Sequence, residues 1–295
     1  VVLLLAVRTQ VQETVLSKQV DYAYLDFSPL RFTCSRNGSN PLEILNKTAC
    51  EMGNKTATET IVVWGDSHSD HWMPLIVDYF KNYRIIQYSM PGCPPLIGNT
   101  NPHVENCRAF NDLVAESIKL NTSVKGVILA ARWSAYTGSP AIQSKQKSDS
   151  PIYFDASATS TEDALSILNI SLERTLKTIH TNNLKILVMG ATPEFKYPVP
   201  ACVFRRSPEY CQSTRAENDI YREKVMKILR DTIAKQPSVR LADGYEALCD
   251  SQHCPVVKNE RIFYSDGDHL TGSGAKHTLS SIQNEFTWFA QSQTK

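Results

Sequence analysis

From Thr58 onward, short continuous apolar runs alternate with longer stretches in which apolar residues return every three or four positions. Ile61-Val62-Val63-Trp64 is such a run, and it ends in Gly65-Asp66-Ser67, the pattern of a buried strand feeding a turn. Trp72, Leu75, Ile76, Tyr79 and Phe80 then fall on one face of an amphipathic helix. Arg84–Tyr88 is a second strand, and Phe110, Leu113, Val114 and Ile118 mark a second helix. Val127–Ala130 is a third strand. The polar, Ser-rich stretch from Ser134 to about Ser160 reads as a long surface insertion. A helix over about 162–180, a strand at Lys185–Met189, a Pro-rich loop and a charged helix over about 217–234 follow. The series closes with a strand near Val239–Leu241 and a helix over about 273–289. Strands and helices in this alternation build βαβ units. The expected fold class is therefore α/β, a mostly parallel five-stranded sheet with helices on both faces. Chemistry in such sheets sits beyond the carboxyl ends of the strands.

Residues 1–57 lack a long periodic element and form an N-terminal extension; residues 58–295 form the α/β domain. Within the extension Tyr22, Tyr24, Leu25, Phe27, Leu30 and Phe32 crowd into a short span. That is too apolar for a solvated linker, so residues about 20–50 are expected to dock on the domain. Val1–Val7 is apolar but far shorter than the roughly 20 residues a membrane helix needs, and is read as the stub of a segment lying upstream.

Charge and cysteine usage narrow the function classes. The 31 Lys+Arg and 30 Asp+Glu leave a net charge of +1, which argues against a nucleic-acid reader or a polybasic membrane binder. Eight cysteines fall into neighbouring couples: Cys34/Cys50, Cys93/Cys107, Cys202/Cys211 and Cys249/Cys254. Each couple brackets a loop, local pairing is expected, and the tight Cys/His spacings of a zinc knuckle are missing. Disulfides imply an oxidising compartment. Sequons begin at Asn37, Asn46, Asn54, Asn121 and Asn169, and bear on modification only in a eukaryotic secretory setting.

Two motifs carry chemistry. Ser67 follows the first strand and opens a helix, where the helix N-terminus favours negative charge. By itself such a serine is more often an ordinary N-cap. Asp266 and His269 lie three apart just before the last helix, a spacing that lets the carboxylate hold the imidazole in one tautomer. His68 and His71 share one early helical face beside Asp70, but no third ligand is identifiable, and no metal site is assigned.

Taken together, Trp64-Gly65-Asp66-Ser67-His68-Ser69-Asp70-His71-Trp72, Gly92-Cys93-Pro94-Pro95, Leu129-Ala130-Ala131-Arg132-Trp133 and Asp266–Ala275 resemble the SGNH hydrolase superfamily. More narrowly, they resemble SGNH domains fused behind integral-membrane acyltransferase-3 domains of bacterial polysaccharide O-acetyltransferases. The resemblance spans about residues 58–290 and implies a flavodoxin-like three-layer fold. It makes Ser67 the nucleophile, His269 the base and Asp266 its orienting partner, with the backbone amides of Ser67 and Gly92 in the oxyanion hole. The superfamily's third block normally offers an asparagine as a further donor. Here Ala131-Arg132-Trp133 stands in its place, which leaves Arg132 as the candidate substitute or as a structural ion pair.

The resemblance further implies transfer of an acetyl group through a serine ester to a sugar hydroxyl of a cell-surface polysaccharide such as lipopolysaccharide O-antigen. No cofactor is expected to bind this domain. Acetyl-CoA would be the ultimate donor, through an upstream transmembrane acyltransferase-3 partner domain, and the periplasmic face of the bacterial inner membrane would be the location. The alternatives are a carbohydrate esterase, using the same triad with water in the second step, and a non-catalytic glycan-binding module, which would call for loss of a triad member.

Overall fold

The computed structural model describes residues 20, 22–34, 50–137, 153–180 and 184–291. Strand β2 (Thr60–Gly65) is buried at every position, as its unbroken apolar run requires. It lies between two parallel neighbours, β3 (Arg84–Ser89) and β4 (Val124–Ala130). Beyond β4 come β5 (Lys185–Met189) and β6 (Val239–Ala242), also parallel. The sheet has a further edge strand, β1 (Glu51–Gly53), antiparallel to β3 with Met52 opposite Ile85. The order is β1-β3-β2-β4-β5-β6. The expected five parallel strands are all present, but the sheet has six strands and begins before residue 58. Three residues ending in a glycine at φ +70 carry no hydrophobic run, so periodicity could not announce β1; its partner strand supplies the order.

Alternate residues of β2 serve two cores. Ile61 and Val63 join a cluster with Trp72 and Ile76 of α2 (Ser67–Tyr79) and with Ile282 and Phe286 near the C-terminus. Val62 and Trp64 face Phe110 and Val114 of α3 (Cys107–Leu120), Leu168 and Leu172 of α4 (Thr161–Ile179), and Leu229 of α7 (Arg215–Ile233). Each such side chain, fully buried, contributes roughly 1.5–3 kcal/mol. The chain leaves β2 for β3 on one side and later returns to β4 on the other. The carboxyl end of β2 is thus the switch point of the sheet, and Ser67 stands there.

Tertiary contacts refine several sequence expectations. The Pro-rich loop folds into two short helices, α5 (Val199–Arg205) and α6 (Pro208–Cys211). A one-turn helix, α8 (Tyr245–Leu248), follows β6. The last helix is two, α9 (Gly272–His277) and α10 (Leu279–Ala290), separated at Thr278, whose hydroxyl donates to the Ala275 carbonyl at 2.7 Å. The expected surface insertion is anchored at both ends. Tyr136, Thr137, Phe154 and Asp155 are buried, and Thr137 bridges Tyr153 in antiparallel fashion. Its middle, residues 138–152, lies outside the described residues, as does Val1–Val7. Among the described residues no helix is long and apolar enough to cross a membrane.

Cys93–Cys107, Cys202–Cys211 and Cys249–Cys254 are disulfide-bonded, as local pairing predicts. Closing the loop between Cys93 and Cys107 contributes roughly 3 kcal/mol by restricting the unfolded chain. Cys34 and Cys50 are both buried, and the segment between them lies outside the described part.

The described part of the extension, residues 20 and 22–34, docks mostly by other side chains than those that suggested it, although the Arg261 guanidinium lies 4.8 Å from the Tyr22 ring centre. Tyr22, Tyr24, Leu25 and Phe32 are exposed, Leu25 and Phe32 by 74% and 75%. The buried residues are Val20, Ala23, Ser28 and Cys34 of the one-turn helix α1 (Arg31–Cys34). Polar contacts fix the segment. The Asp26 carbonyl accepts from Gly272 N at 2.7 Å and its carboxylate from Ser273 N at 2.8 Å, capping the start of α9. Arg31 Nε lies 3.3 Å from the carboxylate of Asp70, which is 1% exposed on α2. Burial raises the Asp70 pKa, against the opposing pull of Arg31 and of the Gln87 amide.

Two outcomes follow. Arg31→Ala strands a buried carboxylate and should destabilise the chain by about 1–3 kcal/mol in chemical denaturation, with Asp70→Asn in the same chain restoring part of the loss. An additive double variant would show that the two groups do not interact. In non-reducing peptide maps of exported protein, the three bridges should be found together with Cys34–Cys50; alkylation of Cys34 and Cys50 in folded protein would refute that fourth pairing.

Candidate active site

Gly65 ends β2 against the backbone of β4, where a Cβ would lie 1.8 Å from the Ala130 carbonyl oxygen; no other residue fits. Asp66, fully buried, caps α2 by accepting from His68 N at 2.7 Å. Its other carboxylate oxygen accepts from Arg132 N at 2.9 Å and from the Tyr136 hydroxyl at 2.5 Å. Its carbonyl accepts from the hydroxyls of Ser69 at 2.7 Å and Ser89 at 2.9 Å. One residue thus joins the carboxyl ends of β2, β3 and β4. Burial and the Asp66 charge push the Tyr136 phenol well above its ordinary pKa, so it stays a donor.

Ser67 begins α2. Its Oγ lies 2.8 Å from His269 Nε2, across 202 residues of sequence. On the other side of the ring, His269 Nδ1 lies 2.7 Å from Asp266 Oδ2. Asp266 also shapes the turn, its Oδ1 accepting from Asp268 N at 2.9 Å and His269 N at 2.8 Å. The expected Ser67, His269 and Asp266 are therefore brought into one line.

A second carboxylate shares the ring. Asp268 Oδ1 also lies 2.7 Å from His269 Nδ1, and the Asp268 side chain is 6% exposed against 41% for Asp266. Asp268 Oδ2 pairs with Arg132 Nη1 at 2.5 Å, while Arg132 Nε and Nη2 grip Glu194 at 3.0 and 2.7 Å. Burial pushes Asp268 up, but the bonds from His269 and His68 and the charge of Arg132 outweigh it and hold the acid well below its usual range. Burial lowers the imidazole of His269; the two carboxylates outweigh this and raise it to about 10. The sequence reading missed Asp268 because Asp-x-x-His spacing points to Asp266. Its signal, an aspartate directly before the histidine, is uninformative until the turn is folded.

The Gly92 loop is fixed for a purpose that only glycine serves. Gly92 has φ +75, a left-handed conformation that strains other residues. Its carbonyl accepts from Asn101 Nδ2 at 2.9 Å, and the neighbouring Cys93 is bridged to Cys107. Asn111, reached by Trp64 Nε1 at 3.0 Å, donates to the carbonyls of Pro94 and Leu96. Arg132, read as a candidate oxyanion donor or a structural ion pair, forms the ion pair. Its backbone amide is engaged by Asp66, and its guanidinium spans Glu194 and Asp268.

His68 and His71 are buried beside the site, their rings 4.8 and 6.1 Å from that of His269. Burial, reinforced by the neighbouring histidines, depresses His71 well below its ordinary pKa. It stays neutral, and its Nδ1 lies 3.4 Å from Leu270 N. Ligand atoms of His68, Asp268 and His269 lie within 4.8 Å of one another, the one grouping among the described residues that a cation could approach. Both Asp268 oxygens are already turned to His269 and Arg132, so the group is organised as an ion-pair network.

No curated protein matches the sequence. Among solved structures, the chain is similar to the periplasmic domain of a Salmonella ser. Paratyphi A lipopolysaccharide acetyltransferase, at 16% identity and a TM-score of 0.57, over 92% of this chain and 97% of that one. Weaker similarity extends to the C-terminal catalytic domain of Streptococcus pneumoniae peptidoglycan O-acetyltransferase A, at 11% identity and TM-score 0.39, over 81% and 99%. A carbohydrate acetylesterase family member from Sinorhizobium meliloti matches at 11% and 0.41, over 78% and 98%. Residues 33–282 match the profile of the SGNH domain that is fused to acyltransferase-3 domains, and the chain belongs to that family.

Proposed function

We propose that this chain is an O-acetyltransferase domain that carries an acetyl group as an ester on Ser67 and passes it to a sugar hydroxyl of a cell-surface polysaccharide. The reading rests on one observation, the 2.8 Å contact between Ser67 Oγ and a His269 whose far nitrogen is held by carboxylates. Neutral His269 takes the Ser67 proton at Nε2 as Oγ attacks the acyl carbonyl. The tetrahedral oxyanion forms at the N-terminus of α2, where the amides of Ser67 and Gly92 are the proposed donors. The carbonyl reforms as the leaving group departs with the proton from Nε2. In the second half the acceptor hydroxyl gives its proton to Nε2, its oxygen attacks the ester, and Ser67 leaves with that proton.

The family's fusion to acyltransferase-3 domains supports a membrane partner domain. In this reading that partner delivers acetyl groups from acetyl-CoA, this domain binds no cofactor of its own, and the chemistry occurs on the periplasmic face of the inner membrane. The acceptor class is a polysaccharide such as lipopolysaccharide O-antigen.

Incubation with 4-nitrophenyl acetate should place one acetyl group on Ser67, seen by peptide mass spectrometry. Ser67→Ala and His269→Ala should each lower turnover by a factor on the order of 10⁴, and the double variant no further. Acetylation at another residue, or losses that multiply, would remove Ser67 as nucleophile. Release of the acetyl group to an added oligosaccharide faster than to water separates transferase from esterase.

The raised pKa of His269 sets the sign of the pH dependence. The base must be neutral, so kcat/KM should climb with pH as the imidazolium near pH 10 loses its proton. Asp268→Asn removes a buried negative charge from Nδ1 and should move this limb to lower pH by roughly 1 unit or more. Asp266, more exposed and better screened, should move it less when changed to asparagine. An unmoved limb in Asp268→Asn would show that Asp268 is structural alone.

A further inference from the structure

The loop between β5 and α7 carries features that the Ser67–His269 chemistry does not use. It is stitched to the turn holding Asp266: Phe195 N donates to the Gly267 carbonyl at 2.8 Å and Val199 N to the Asp266 carbonyl at 3.1 Å. From Val199 the loop runs through α5 and α6, which the Cys202–Cys211 bridge locks together. Between the two helices lies a cavity of about 340 Å³, walled by Tyr197, Pro198, Ala201, Arg205, Arg206 and Tyr210.

Its chemistry is unusual for a surface loop. The rings of Tyr197 and Tyr210 lie within 13° of parallel, with centroids 6.4 Å apart, and are 38% and 57% exposed. Together they present an aromatic platform to solvent. Lys196 Nζ sits 5.1 Å from the Tyr197 ring centre and the Arg206 guanidinium 5.4 Å from that of Tyr210. Among the described residues, none of Lys196, Arg205 and Arg206 forms an ion pair with a carboxylate, whereas Arg132, Arg215 and Arg222 each do. Hydrogen bonding from its own backbone amide and from Ser207 lowers the Glu209 pKa, and Tyr197, with the charge of Glu217, raises that of Lys196. Exposed aromatic faces suit the apolar C–H face of a pyranose ring, and unneutralised guanidinium groups suit a carboxylate or phosphate in bidentate geometry. The groove starts one residue from the pair Val199–Asp266, and so adjoins the turn that holds His269.

We propose that the Tyr197–Tyr210 groove is an acceptor subsite that takes an acidic saccharide, a sugar unit bearing a carboxylate or phosphate, and seats its chain beside Ser67. The proposal rests on the glycan-acceptor reading above and adds to it the class of glycan. The aromatic rings hold the sugar face, Arg205 and Arg206 hold its anion, and the disulfide keeps the two helices at the spacing of the groove. Because the loop is bonded to the Asp266 turn, a chain seated here is positioned relative to His269 by two backbone hydrogen bonds.

The test uses the whole 295-residue chain and isothermal titration calorimetry, with tetragalacturonate and a sugar-phosphate oligosaccharide as acidic probes and maltotetraose as the neutral one. At least one acidic probe should bind, more weakly as salt is added, and maltotetraose should bind at least about tenfold less well. Arg205→Ala with Arg206→Ala should lower acidic-probe affinity roughly tenfold, as should Tyr210→Ala, while Tyr210→Trp retains it. All of these variants should turn over 4-nitrophenyl acetate at the unaltered rate, since none touches Ser67 or His269, and that rate also reports that they fold. Equal binding of acidic and neutral probes, no binding of any, or full affinity in the double arginine variant would overturn the groove. The transfer reading fails separately: a chain that binds the acidic probe through Arg205 and Arg206 yet never acetylates Ser67 keeps the groove and loses the acceptor role.

Discussion

The carboxyl ends of β2, β3 and β4 are held together by one fully buried residue, Asp66, through its carboxylate and its carbonyl, and the position of Ser67 depends on it. A buried acid side chain is unfavourable unless it is hydrogen-bonded. Asp66 meets that demand by accepting from His68 N, Arg132 N and the Tyr136 hydroxyl, while its carbonyl accepts from Ser69 and Ser89. Each bond reaches a different part of the site. The start of α2, the end of β3, the turn after β4 and the anchored end of the polar insertion therefore cannot move independently. Gly65 completes the arrangement by letting β2 close on β4 at a distance no side chain would permit.

The other half of the site arrives from the far end of the chain, and polar contacts secure it. Asp266 folds the turn on itself with two backbone bonds before it ever meets the imidazole. Arg132 then ties that turn to β4 through Asp268 and to the loop after β5 through Glu194. The extension adds two further ties, with Asp26 capping the helix that follows His269 and Arg31 reaching Asp70 on the helix that carries Ser67. The same short segment thus braces both sides of the Ser67–His269 contact.

Two carboxylates on one histidine nitrogen give the site an uneven electrostatic design. Asp268 is buried and already paired with a guanidinium; Asp266 is open to water. The buried one acts on the ring in a low dielectric, where a charge has its greatest effect, and the bonds from His269 and His68, with the charge of Arg132, hold its pKa low. Neutral His71 and buried His68 close the other flank, while burial and the two carboxylates set the basicity of the imidazole.

The five parallel strands, the helices between them and the line from Ser67 through His269 to Asp266 were legible in the sequence. The strands and helices rest on a local rule, the period of apolar residues, whereas the line through Ser67, His269 and Asp266 was legible only through the resemblance of its motifs to the SGNH superfamily. The three bridges of neighbouring cysteines were legible from their spacing, since short loops bring their ends together. What tertiary structure alone decided are the long-range pairings, where one partner's identity says nothing about the other. β1 exists because β3 offers it an edge. Asp268 shares His269 because the turn folds both carboxylates toward one nitrogen, and Arg132 pairs with Glu194 because two strand ends are neighbours. The extension was expected to dock through its aromatic residues, yet four of its large apolar side chains are exposed, while the smaller Val20 and Ala23 enter the core and the charged Asp26 and Arg31 add polar ties. Hydrophobic content told of association, but the geometry of hydrogen bonds and charges, which depends on what lies across the interface, determined how it is made.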